Sequence, residues 1–215
     1  MNLLRYTLVA EGPSDEVLKY PLHWLLAQGG VMRAIEATFP DLRQWPQPLR
    51  GLPDRIRAAL VLSDPCDLLF VHRDSDGEPR ENRCAEIQRA IEEVAADLRQ
   101  RPYVCVVPVR MTEAWFLFDE ALLRKAVDNP HGRVPLDLPS LSRVESLPDP
   151  KELLQQLIST ATEKPPRRLK GFSSTAAFHR LASLITDFSP LRRLQAFQAL
   201  EADVRHIIQA AGWNR

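Results

Sequence analysis

Apolar and polar positions along this chain alternate between two periods, and the switches between them mark its elements. Leu3–Ala10 alternates loosely and predicts a first strand. It runs into Glu11-Gly12-Pro13, where the fixed φ of Pro13 suits the first turn of a helix. Leu18, Leu22, Leu25 and Leu26 then form a stripe at helical spacing that stops at Gly29-Gly30. Prolines at 40, 46, 48 and 53 interrupt residues 31–55, leaving one short strand around Ile35–Phe39, and a helix is predicted over Asp54–Leu62. The unbroken apolar run Leu68–Val71 before the Gly77 turn reads as a buried central strand. Cys84, Ile87, Ile91, Val94 and Leu98 predict a helix over Glu81–Gln100. Tyr103–Val109 is a further strand, with Pro108 near its end, where a missing N–H does least harm. Thr112 is placed to cap a helix over Glu113–Asp128.

Strands alternating with helices in this way predict an α/β fold, a mostly parallel four-stranded sheet flanked by helices. Beyond it, Asn129–Asp149 is loop-rich, with prolines at 130, 135, 139 and 148. Helices are predicted at Pro150–Glu163, Thr175–Thr186 and Pro190–Ala211, a C-terminal helical extension. In the last, Leu191, Leu194, Phe197, Val204, Ile207 and Ile208 make a packing stripe. The chain is thus divided at 1–128 and 129–215.

Composition narrows this only a little. The 215 residues, 45% hydrophobic and 26% charged, suit a soluble globular protein. No apolar run approaches the length of a membrane span, and Glu11 arrives too early for a signal peptide. Cys66, Cys84 and Cys105 are odd in number with no CxxC pair, which points to free thiols in a reducing cytoplasm. Net charge is zero but uneven. Residues 151–215 carry ten Lys/Arg against five acids, so the first 150 are net acidic, a division that suits a polyanionic substrate.

The chemistry gathers at predicted strand ends. Asp74 and Asp76, spaced i, i+2, follow the central strand, where open α/β sheets place their ligands. Paired carboxylates suit a hard cation such as Mg²⁺ or Mn²⁺, although Asp and Gly are also ordinary turn residues. Glu11 follows the first strand, and a cap there would normally be Ser, Thr, Asp or Asn. Asp15 and Glu16 fall in a first helical turn, where acids already favour the dipole, and the same holds for Glu113. Parallel neighbours lie about 4.8 Å apart, so acids on three strand ends can surround one or two divalent ions. His179 and His206 have no ligand-spaced partner, and Trp24, Trp45, Trp115 and Trp213 form no stacking ladder.

The order strand-Glu11-Gly12-helix, then strand-Asp74-x-Asp76, resembles the TOPRIM domain of topoisomerases, primases and OLD-type nucleases. Asp15 (or Glu16) matches the second acid of the OLD-type branch. Thr112–Asp119, TEAWFLFD, is similar to a segment of small stand-alone TOPRIM-like bacterial proteins, which puts Glu113 on the same site. The resemblance covers roughly residues 3–128. His72 and Arg73 depart from it, adding positive charge where that family stays apolar. It implies a TOPRIM-like domain carrying metal-dependent chemistry on phosphodiesters, with one or two Mg²⁺ or Mn²⁺ ions. Glu11 and Asp15 would help hold one ion, and Asp74, Asp76 and Glu113 the other. A lysine is expected near the scissile phosphate: Lys170 first, Lys164 second. Lys164, Arg167, Arg168 and Lys170 form a cationic run able to grip phosphates, or a solvated linker before the next helix.

The expected function is a divalent-metal-dependent nuclease, with DNA favoured over RNA, in a bacterial defence or DNA-processing system. A separate ATPase partner is expected, since the chain has no Walker motif. Two alternatives stand beside it. Strand-DxDG also resembles haloacid-dehalogenase phosphatases, with Asp74 as nucleophile and Asp76 as acid/base, although that motif normally opens the chain and would leave Glu11 idle. The other is a non-catalytic TOPRIM-like subunit with a degenerate site.

Overall fold

Four strands, β1 (Leu3–Val9), β2 (Ala34–Thr38), β3 (Leu68–His72) and β4 (Tyr103–Val106), hydrogen-bond in the order β2-β1-β3-β4. Every pair is parallel, so the fold is α/β around an all-parallel sheet. The computed structural model describes residues 3–98 and 100–214. They fall into two units. One runs through Val107 and takes up the chain again from Ala199, and the other is Pro108–Gln198.

In the first unit the helices are α1 (Lys19–Gln28), entered through the 3-10 turn Pro13–Leu18, then α2 (Leu52–Leu62), α3 (Arg80–Glu93) and α4 (Ala95–Leu98). All five residues of β3 are buried, because the strand is covered on both faces. Leu69 and Val71 join Ile56 and Ala59 of α2 and Ile87 and Ile91 of α3 in one core. Phe70 points to the opposite face. There Tyr6 meets it edge-on at 5.2 Å and donates from Oη to the Lys19 carbonyl at 3.0 Å. The chain passes from β1 to β2 on one side and then returns across β1 to β3 on the other. Strand order therefore reverses between β1 and β3, and the crevice beyond their carboxyl ends is where such sheets bind ligands.

Several boundaries differ from the sequence pattern for identifiable reasons. The helix predicted to Gln100 breaks at Val94 (φ −108°) and resumes as α4, which keeps both Val94 and Leu98 in the core. β4 ends at Val106 rather than Val109, on an edge strand that Pro108 cannot extend. β2 runs Ala34–Thr38, one residue before the span expected.

The second unit is helical among its described residues. A 3-10 turn, Thr112–Phe116, precedes α5 (Glu120–Ala126), α6 (Leu141–Val144), α7 (Pro150–Ala161), α8 (Pro166–Leu169) and α9 (Ser174–Leu184). After the 3-10 turn Ser189–Arg193 comes α10 (Gln195–Ala211), whose residues from Ala199 belong to the first unit. The single helix expected over Glu113–Asp128 is split because Asp119 caps a new one, accepting from Leu122 N–H at 2.9 Å. Thr112 is not the cap; it lies buried inside the 3-10 turn, preceded by Met111. Asp149 and Ser173 cap α7 and α9, accepting at 2.8 and 3.1 Å. Phe116 packs edge-on against Phe178 and Phe188, at 5.1 and 6.3 Å, and Trp115 against Phe197 at 5.3 Å. Among the described residues no helix is long and apolar enough to cross a membrane. Cys66, Cys84 and Cys105 are free.

Candidate functional site

Val9 of β1 pairs with Val71 of β3. Two residues further on, past the strand ends, Glu11 and Arg73 face each other, and Arg73 Nη1 lies 2.9 Å from Glu11 Oε1. The Arg73 backbone N–H still donates to the Val106 carbonyl at 3.1 Å, which fixes where its side chain emerges. Arg55 of α2 holds Glu11 from behind, donating from Nη2 to the carbonyls of Ala10 and, at 2.8 Å, Glu11.

From Arg73 a chain of alternating charges runs to the second aspartate. Arg73 Nη2 is 3.2 Å from Glu86 Oε1. Arg83 Nη1 is 3.1 Å from Glu86 Oε2, and Arg83 Nη2 is 3.3 Å from Asp76 Oδ2. Asp76 (φ +52°) and Gly77 (φ +88°) both take left-handed backbone, a conformation Asp tolerates and Gly adopts freely. That turn swings Asp76 back over α3. Neither Arg73 Nε nor Arg83 Nε, both buried, has a hydrogen-bond partner.

His72 is the other half of the site. It closes β3 fully buried, its Nδ1 3.0 Å from the Val106 carbonyl. Its Nε2 lies 3.4 Å from Asp74 Oδ1 and 3.8 Å from Asp15 Oδ2. Both ring nitrogens thus face oxygen acceptors, an arrangement only the imidazolium satisfies. Burial is the largest single influence and opposes the charge. The hydrogen bond to Asp74 and the charges of Asp15 and Asp74 together outweigh it, so the His72 pKa is raised above its ordinary 6.5. Asp15, 6% exposed, also accepts from Gly12 N–H at 2.8 Å, so its carboxylate serves the helix entry as well as His72.

Glu11 has the opposite problem. Burial raises its carboxyl pKa above the usual range. Arg73 and His72 pull it back, while Asp74 and Asp76 push it further up. The two aspartates are therefore close enough to Glu11 to repel it, the condition a cation relieves. The donors are hard oxygens of the kind Mg²⁺ and Mn²⁺ prefer. As the side chains stand, the arginines supply the neutralising charge. Among the described residues no group of three or more His, Cys, Asp or Glu is set to hold a metal ion.

Of the residues singled out in the sequence, Asp15 and Asp74 meet at His72, while Glu11 and Asp76 are joined through Arg73, Glu86 and Arg83. Glu113 belongs to the second unit, buried in the turn Thr112–Phe116. Lys164, Arg167, Arg168 and Lys170 belong to that unit too, all exposed, around the single helical turn Pro166–Leu169. Sequence reasoning passed over Arg55, Arg83 and Glu86, and noticed His72 and Arg73 without giving them a role. Arg83 and Glu86 carried a signal, a three-residue spacing that puts opposite charges on one helix face. Compared with known proteins, the chain matches no family model, no curated protein and no solved structure.

Proposed function

We propose that this chain is a Mg²⁺- or Mn²⁺-dependent hydrolase of nucleic-acid phosphodiesters, of TOPRIM type, with DNA the preferred polymer and an ATPase as a separate partner. The observation that carries the reading is the placement of Glu11 after β1 and of Asp74 and Asp76 after β3, adjacent strands at a strand-order reversal. Glu11, Asp74 and Asp76 would hold the ion, and Asp15 would support them through Gly12 and His72. The ion supplies charge neutralisation on the attacking and leaving oxygens of an in-line displacement. Arg73, released from Glu11, would keep Glu86 through Nη2 and present its freed Nη1–H to a phosphate oxygen, the task the sequence had suggested for Lys170. Buried His72 keeps Asp74 in place.

One observation favours a second reading, a non-catalytic subunit. Glu11, Glu86 and Asp76 are already engaged by Arg73 and Arg83, a closed set of ion pairs that asks for no ligand. Plasmid cleavage separates the two. Supercoiled plasmid with Mn²⁺ is expected to be nicked or cut by the wild type, spared in excess chelator, and spared by Glu11→Ala. Cleavage that is absent in the wild type, or equal with Glu11→Ala, removes the hydrolase reading.

A further inference from the structure

On the β2 side of the same strand end lies a cavity of about 650 Å³ that shares Glu11 as part of its wall. That volume is within the range of small-molecule sites, roughly 300–1,000 Å³. Its apolar lining joins Leu8 and Val9 of β1 to Phe39, Leu42 and Trp45, all three half-buried, in the proline-broken stretch that joins β2 to α2. Aromatic rings kept partly wet around an opening forgo the burial that would otherwise stabilise them. Two arginines, Arg43 and Arg55, stand among its polar lining. Arg55 is committed to the Ala10 and Glu11 carbonyls. Arg43 has its fork held by Asp41, Nε to Oδ1 at 2.7 Å and Nη2 to Oδ2 at 2.9 Å, while its side chain stays 84% exposed. A guanidinium held this way by its edge offers a flat face for stacking.

The charges select among ligands. The lining carboxylates Glu11, Glu16 and Asp41 are each paired with a cation, Arg73, Lys19 and Arg43, so the opening offers a bare ion no unpaired counter-charge and a neutral ring meets no opposition. A purely aliphatic ligand would leave Arg43 and Arg55 facing hydrocarbon. A planar heteroaromatic ring with a polar edge meets both conditions. We infer that this cavity seats one unpaired nucleobase, that of the nucleotide next to the phosphate that Arg73 would meet beside Glu11. The identity of that neighbour rests on the hydrolase reading above, but the cavity's preference for a base does not. The sequence shows no ladder of aromatics, and the site accordingly takes a single base rather than a run of them.

The test uses the full chain without divalent ions. dAMP and dTMP are titrated calorimetrically, with 2-deoxyribose 5-phosphate as the probe that lacks a base. The nucleotides are expected to bind at least about tenfold more tightly than the sugar phosphate, and Trp45→Ala to remove roughly that factor. Phe39→Leu, which keeps an apolar side chain, is expected to weaken binding in the same direction, and thermal melts of both variants verify the fold. Equal binding of nucleotide and sugar phosphate, no nucleotide binding, or wild-type affinity in both variants overturns the inference. Plasmid cleavage by the same proteins tells the two readings apart. A wild type that cuts, with both variants binding and cutting as it does, refutes the base site and leaves hydrolysis standing. A wild type that fails to cut, yet binds nucleotide through Trp45, supports the base site and refutes hydrolysis.

Discussion

Replacing His72 with leucine is expected to destabilise the metal-free protein by about 3–5 kcal/mol, the usual cost of removing one partner from a buried charged set. The imidazole is 0% exposed and lies between Asp15 and Asp74, whose side chains are 9% and 19% exposed and cannot rehydrate without opening the end of β3. Leucine fills much of the space but removes the cation that faces both carboxylates. The same residue predicts a pH dependence. A histidine whose folded pKa is raised stabilises the fold fully below its unfolded value, and that contribution is lost as pH rises through the folded value. Urea midpoints of the wild type in chelator should therefore be highest below pH 6.5 and fall as pH rises above it, whereas His72→Leu should lack that fall. A variant as stable as the wild type, or with the same pH profile, means His72 is not a buried cation.

The second large effect is on hydrolysis. Asp74→Asn is expected to lower plasmid cleavage by roughly a hundredfold or more, the scale seen when one preorganised electrostatic group is removed from a reacting centre. Asparagine has the same shape and can still accept from His72, so the fold around β3 is retained. What is lost is one of the negative charges that push the Glu11 carboxyl pKa up. Cleavage rates measured with saturating Mn²⁺, alongside a thermal melt, separate this from unfolding. A rate within a few-fold of the wild type takes Asp74 out of the reaction.

Much of this site was legible before any coordinates, and the part that was not has a physical reason. Period-two and continuous apolar runs place β1 and β3, and the polar residues that end those runs place Glu11, Asp74 and Asp76 just past them. The partners of those acids depend instead on register between strands far apart in the chain. Val9 opposite Val71 puts Glu11 opposite Arg73, and a slip of one residue would turn Arg73 to the other face. No local pattern records that pairing. The left-handed turn at Asp76, which carries its carboxylate to Arg83, is equally invisible, since Asp-Gly suits several turn types. Asp15 shows the converse: the first-turn acid expected from the helix dipole is a working cap on Gly12, and the same carboxylate also faces His72. Helix ends fail where a capping residue lies inside a longer apolar stripe, as Asp119 does between Phe116 and Leu123.

The central claim is that Glu11, Asp74 and Asp76 together prefer a divalent cation over Arg73, Arg83 and His72, which now neutralise them. Titration of Mn²⁺ into the pure protein, followed by the electron paramagnetic resonance signal of the free ion, addresses it most directly. The account predicts that wild-type protein depletes the free-ion signal at one or two sites and that the Glu11→Gln/Asp74→Asn double variant does not. A wild type that leaves the signal untouched, or a double variant that depletes it equally, would contradict it.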